Sequence, residues 1–231
     1  AMSLIDTVLD GLEVLLDDLH VTDDGQIKSG KRFEGNDKNQ HHLNALLMAL
    51  VAASPSEQAQ DLREQTKVIK ITTAAIPALS AFPNLEEATL YIGVESVVEN
   101  LEAFGSTPKL KSLSLYGQAV PFNSGKKSAQ LKSLKGLDAP NLISLTATGV
   151  KLLDINGLEG CSKLLDLTLQ RNQELASIDP VSKIAPSLVN VNLAGSLAIE
   201  SLTPLQTATN LEFLSISFLE KITDLSALKD C

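Results

Sequence analysis

Three histidines and two cysteines are the side chains of this 231-residue chain best suited to metal binding or nucleophilic catalysis, and their placement argues against both. His20, His41 and His42 all precede the regular part of the sequence. Adjacent His41 and His42 point to different sides of a helix, so they cannot share a metal as an i, i+4 pair would. Cys161 and Cys231 lie far from any histidine that could activate a thiol. No phosphate-binding glycine loop, G-x-S-x-G elbow or zinc-protease helix motif occurs. The expectation is a non-enzymatic chain with no metal and no cofactor.

Composition narrows the partner. A net charge of −9 argues against nucleic acid, because neutralising phosphates takes a concentrated basic surface. It disfavours an anionic membrane for the same reason, and no apolar run approaches the length of a membrane-spanning helix. Two distant cysteines are not a disulfide framework, which favours a reducing, cytoplasmic setting. The opening Ala1-Met2 reads as a cloning scar. Cys231 falls inside a periodic pattern, which predicts that the natural chain continues beyond it.

The elements that position everything else emerge from spacing. Leu85, Leu110, Leu142, Leu164, Leu188 and Leu211 each precede a short strand-like stretch, at intervals of 25, 32, 22, 24 and 23 residues. After Leu164 come Leu167, Leu169, Leu175, Ile178 and Val181; Leu188 and Leu211 are followed by apolar residues at identical offsets. Leu142 leads a copy one residue shorter, and Ile69, Ile71, Ile76, Leu79 and Phe82 form a truncated first copy. Within each L-x-x-L-x-L stretch the residues alternate as a half-buried strand does. The later apolar residues recur every third position, as a tight helical turn or irregular return segment requires. Pro83, Pro108, Pro140 and Pro186 stand two residues before an aligned leucine, at the corner where no ladder donor is yet needed. One such unit cannot cover its own apolar edge, so about seven must stack to make a core.

This pattern, closing on Lys221-Ile222-Thr223-Asp224-Leu225-Ser226-Ala227-Leu228, resembles the leucine-rich-repeat family, specifically the short repeats of internalin-like and phosphatase-regulator-like arrays. The resemblance covers residues 66–231. It implies an α/β fold, a curved solenoid with a parallel sheet on its concave face, and a role in recognition. The asparagine that normally ties the turn after each strand is present only at Asn172; its equivalents are Gly93, Gln118, Val150, Ser196 and Leu219.

On that alignment three columns face the concave surface. The first holds Glu87, Ser112, Ser144, Asp166, Asn190 and Phe213, and the middle one Thr89, Ser114, Thr146, Thr168, Asn192 and Ser215. The third holds Tyr91, Tyr116, Thr148, Gln170, Ala194 and Ser217, and so contains both tyrosines of the chain. Tyrosine is a rigid amphipathic contact residue, so Glu87, Thr89, Tyr91, Ser112, Ser114, Tyr116, Thr146, Thr168, Gln170 and Phe213 are the candidate partner-binding residues. The alternative is that aromatic and hydroxyl residues simply suit strand pairing. A further reading makes the Ser/Thr/Asn column a surface for carbohydrate or ordered water. The long repeat extrudes residues 117–135, where Lys126 and Lys127 form a basic loop: a solvated insertion, or a contact for an acidic partner.

Residues 1–65 read differently. Apolar positions between Ser3 and Leu19 trace an amphipathic helical stripe. Residues 21–36 read as a loop with a short hairpin as the alternative. Helices are expected from Lys38 to Ala53 and from Ser56, as N-cap, to Gln65. This segment is either a helical cap over the first repeat or a small independent domain. The whole is then a protein-protein interaction module holding an unidentified protein partner on its concave sheet, or the recognition segment of a larger signalling protein, effector or enzyme.

Overall fold

The structure is a computed structural model describing residues 16–17, 19–29, 46–73, 78–93, 98–117 and 131–231. Strands β1 (Leu19–Val21) and β2 (Ile27–Ser29) form an antiparallel hairpin. Helical residues 46–53 and helix α1 (Glu57–Gln65) follow. Then come β3 (Val68–Thr73), β4 (Glu87–Ile92), β5 (Ser112–Gly117), β6 (Ser144–Thr148), β7 (Asp166–Thr168), β8 (Asn190–Asn192) and β9 (Phe213–Ser215). These seven strands make one parallel sheet in strict sequence order.

Apolar alternation explains the strands: in β4 to β6 every second side chain is buried, as at Ala88 and Leu90, Leu113 and Leu115, Leu145 and Ala147. The last four repeats each place one of the residues recurring every third position in a short 3-10 segment on the return path, at Leu158–Gly160, Asp179–Lys183, Thr203–Leu205 and Ser226–Leu228. Their leucines and isoleucines meet the strand leucines in one continuous core. A parallel sheet grown repeat by repeat, with such return segments behind it, is a leucine-rich-repeat solenoid.

Register is set at the strand entrances. Each residue just before a strand offers a carbonyl that accepts two N–H groups from the next repeat: Glu86 from Lys111 and Ser112, Lys111 from Ile143 and Ser144, Ile143 from Leu165 and Asp166. The same bifurcation continues at Leu165 and Val189, and begins at Lys67. Outside this ladder runs a second one. Asn141 and Asn210 donate side-chain hydrogen bonds to the carbonyls of Pro108 and Pro186, Asn84 donates to Glu64, and Ser187 to Leu164. Two of the corner prolines thus contribute acceptors as well as a fixed φ.

After each of the last four strands the chain turns through a left-handed residue, at Gly149, Arg171, Gly195 and Phe218. Beyond it sits the position where an asparagine was expected to matter. Asn172 is fully buried there. Its amide donates to the carbonyls of Ala147 (2.8 Å) and Gln170 (3.2 Å), and its oxygen accepts from the Leu152 N–H (3.2 Å). Its own N–H reaches the Ser196 hydroxyl, which donates in turn to the Leu169 carbonyl at 2.6 Å. Ser196 therefore ties the turn of the preceding repeat by a hydroxyl, as Asn172 does by its amide. Val150 and Leu219 occupy the same position as buried apolar residues.

The N-terminal segment departs from the expected run of helices. Leu19 belongs to β1 rather than to a helix, and the hairpin is present. It remains a separate two-stranded sheet but abuts the repeat sheet through a parallel bridge between Gln26 and Val68, and the Gly25 carbonyl accepts from Lys67 and Val68 as a strand-entrance carbonyl would. Ser56 caps α1 by accepting from the Ala59 N–H at 3.2 Å. Thr66 stands where later repeats carry leucine, buried and donating to the Leu62 carbonyl. The expected stripe before Leu16 and the start of the second helix lie outside the described residues.

Replacing Asn172 by alanine strands the buried Leu152 N–H and Ala147 carbonyl, and should lower unfolding free energy by about 2–3 kcal/mol. Urea unfolding of the variant against the parent checks this.

Candidate functional site

The face of the sheet turned away from the core is built by direct strand pairing, so its chemistry can be read column by column. Glu87 pairs with Ser112, Ser112 with Ser144, Ser144 with Asp166, Asp166 with Asn190 and Asn190 with Phe213. Thr89, Ser114, Thr146, Thr168, Asn192 and Ser215 pair in the same order. Tyr91 pairs with Tyr116 and Tyr116 with Thr148. Past the strand ends, backbone bonds from Gly149 to Gln170, Arg171 to Ala194 and Gly195 to Ser217 carry the third column onward. The alignment read from sequence is therefore the register of the fold. Strand β3 extends the columns by Val68 beside Glu87 and Lys70 beside Thr89, which sequence spacing alone did not place.

The two tyrosine rings stack with centroids 5.4 Å apart and planes inclined by 23°. That stack stiffens both side chains and leaves Tyr91 38% exposed. Phe213, at the far end of the first column, is 53% exposed. Between them lie half-buried hydroxyls: Ser112, Ser114, Thr146 and Thr168, with Gln170 beyond. Asp166 accepts a hydrogen bond from Asn190 at 2.6 Å, so two neighbours of the first column hold each other in place. Lys126 and Lys127 lie outside the described residues.

Reactive groups are scattered. Among the described residues no cluster of three or more His, Cys, Asp or Glu side chains is arranged to hold a metal ion. No described helix is long and apolar enough to cross a membrane. Both cysteines are free, Cys161 buried and Cys231 exposed. Burial, reinforced by the charges of Asp138 and Glu159, pushes the Cys161 thiol up to about 11. A cavity of about 100 Å³ opens between the hairpin, residues 47–48 and β3, with Leu19, Ile27, Leu47, Met48, Ile69 and Ile71 in its lining.

Comparison with known proteins adds one point. No family model matches the chain, and no curated protein matches it. Among solved structures, internalin C2 from Listeria monocytogenes str. 4b F2365 is similar at 16% identity and a TM-score of 0.47, over 80% of this chain and 87% of that one.

A thiol reagent at mildly alkaline pH should label Cys231 and leave Cys161 unmodified until denaturant is added. The folded thiol resists ionisation to about 11 against an ordinary 9.0, so its contribution to stability is complete below pH 9.0 and is lost as pH rises toward 11. The pH profile of unfolding free energy for the parent minus that for Cys161→Ala should show this fall.

Proposed function

We propose that the chain is a non-enzymatic protein-protein interaction module whose partner rests on the outward, concave face of the sheet. The observation that supports this is the tyrosine stack. Tyr91 and Tyr116 are the only tyrosines of the chain, they occupy one column of adjacent strands, and their rings face outward. Packing the core requires neither ring. Held by each other, they lose little side-chain freedom when a partner covers them, which lowers the ordering cost of binding.

Glu87, Thr89 and Ser114 surround the stack with groups that give and accept hydrogen bonds. Ser112, Thr146, Thr168, Gln170 and Phe213 extend the same surface along the array. The mechanism is pre-organisation: a hydrogen-bonded sheet holds many side chains in a fixed grid before any partner arrives. An acidic chain with a net charge of −9 suits a protein partner better than a nucleic acid. Two free cysteines support a reducing, cytoplasmic setting. Residues 1–65 are read as the cap of residues 66–231, supported by the Gly25 carbonyl entering the strand ladder.

The test is affinity capture from lysate of the source organism with the parent chain and with a Tyr91→Ala/Tyr116→Ala variant, both checked for folding by their unfolding transitions. A protein retained by the parent and lost by the variant is the expected result. Equal retention by both would remove the tyrosines from the site.

A further inference from the structure

We propose that strands β6 to β9 carry, along their entrance flank, a docking site for a basic amphipathic α-helix of a partner protein, lying across the strands. This rests on the reading of the sheet as a binding surface and locates an apolar anchor that the tyrosine stack does not supply.

The position one residue before the first column is charged in four of the seven repeats, at Lys67, Glu86, Lys111 and Glu212. In the other three, which are consecutive, it is Ile143, Leu165 and Val189. The Leu165 N–H donates to the Ile143 carbonyl and the Val189 N–H to the Leu165 carbonyl, so the three side chains stand on directly bonded neighbours. Ile143 is 39% and Leu165 40% exposed, and Val189 is half-buried. Phe213, 53% exposed, lies in the first column of the next repeat, where its N–H bonds to the Val189 carbonyl. Three successive repeats thus present an aliphatic ridge outside the core, and the next repeat adds an exposed aromatic in the adjoining first column. On one side the ridge ends at the Lys111–Glu86 ion pair of 2.6 Å, whose hydrogen bond holds the Glu86 carboxyl below its ordinary range. An apolar centre with a charged border is the anatomy of a contact surface.

Charge and spacing select the occupant. Over β6 to β9 the flank position and the first column contain two charged residues, Asp166 and Glu212, both acidic and neither in an ion pair among the described residues. Lys163, just before Leu164, gives its amine to the Asn141 side chain at 2.6 Å. A partner segment that matches must bring apolar side chains flanked by lysine or arginine. Adjacent strands are spaced about 4.8 Å apart. A helix laid across them repeats its surface every ~5.4 Å, close to that spacing. An extended peptide repeats same-side residues at about 6.6 Å and falls out of step after two strands. The geometry therefore favours a helix whose apolar edge follows i, i+3, i+4, i+7 positions.

The full chain with labelled isoleucine, leucine and valine methyl groups can be titrated with a synthetic leucine–lysine peptide patterned as an amphipathic helix. Two control peptides accompany it: one of the same composition in an order that leaves no apolar edge, and a leucine–glutamate peptide in the helical order. The expected result is saturable shifts of the Ile143, Leu165 and Val189 methyl signals with the first peptide only. Leu165→Lys should weaken that binding by about tenfold or more, with methyl signals elsewhere unchanged as the check on folding. Asp166→Asn/Glu212→Gln, which leaves the ridge intact, should reduce both affinity and its salt dependence. Equal binding of either control overturns the proposal, as do shifts confined to the last repeat around Phe218 and Leu225, or no shift at all. Binding that survives Tyr91→Ala/Tyr116→Ala supports the flank site even if the tyrosines prove idle; binding abolished by that variant overturns it.

Discussion

The structure depends on one repeated interaction, the carbonyl at each strand entrance that accepts two N–H groups from the following repeat. Seven of these carbonyls, from Gly25 through Lys67, Glu86, Lys111, Ile143, Leu165 and Val189, form an unbroken series along the sheet. Carbonyl oxygen has two lone pairs, so each can serve both donors without leaving the backbone at the corner unsatisfied. The arrangement is indifferent to how many residues lie between one entrance and the next. Intervals of 22 to 32 residues separate the aligned leucines, yet the strands keep one register from Glu87 to Phe213.

Register matters because side chains alternate. A slip of one residue would bring Tyr91, Thr89 and Glu87 into the core and put Ala88, Leu90 and Ile92 into water. Burial of Leu113, Leu115, Leu145 and their counterparts therefore fixes the same alignment that the carbonyls fix, and the two constraints agree at every strand. This agreement made the repeat region readable. Leucine at fixed offsets specified the strands, their parallel order and the membership of the three outward columns, including the pairing of the two tyrosines.

Other parts were not legible, for identifiable physical reasons. The hairpin enters the strand ladder through a glycine carbonyl, a group that every residue possesses and no spacing betrays. The first repeat replaces its leucine by Thr66, which satisfies its hydroxyl on the Leu62 carbonyl, so Lys70 and Val68 were not assigned to columns. Ser196 does the work of an asparagine with a shorter side chain because its oxygen both accepts from Asn172 and donates to Leu169. The asparagines before the aligned leucines bridge repeats through their amides, an interaction between residues twenty or more apart in sequence. Alternation also draws attention to strand interiors, and so passes over the flank position of Ile143, Leu165 and Val189.

A repeat fold separates two kinds of position. Those that face the core or the ladder must be alike from repeat to repeat, because each stacks on its own counterpart. Positions that face outward carry no such requirement, and there a departure from the prevailing type contributes nothing to stacking. Hydroxyl residues in the middle column follow the prevailing type and suit strand pairing in any sheet. The tyrosine pair breaks the pattern of its column, Phe213 breaks that of its own, and three consecutive aliphatic residues break a flank that is otherwise charged. Each departure leaves apolar surface in water, a cost that folding does not recover and that association can. Since the sheet holds these departures at fixed separations, a partner meets a surface whose spacing was set by the carbonyl series rather than by the side chains it touches.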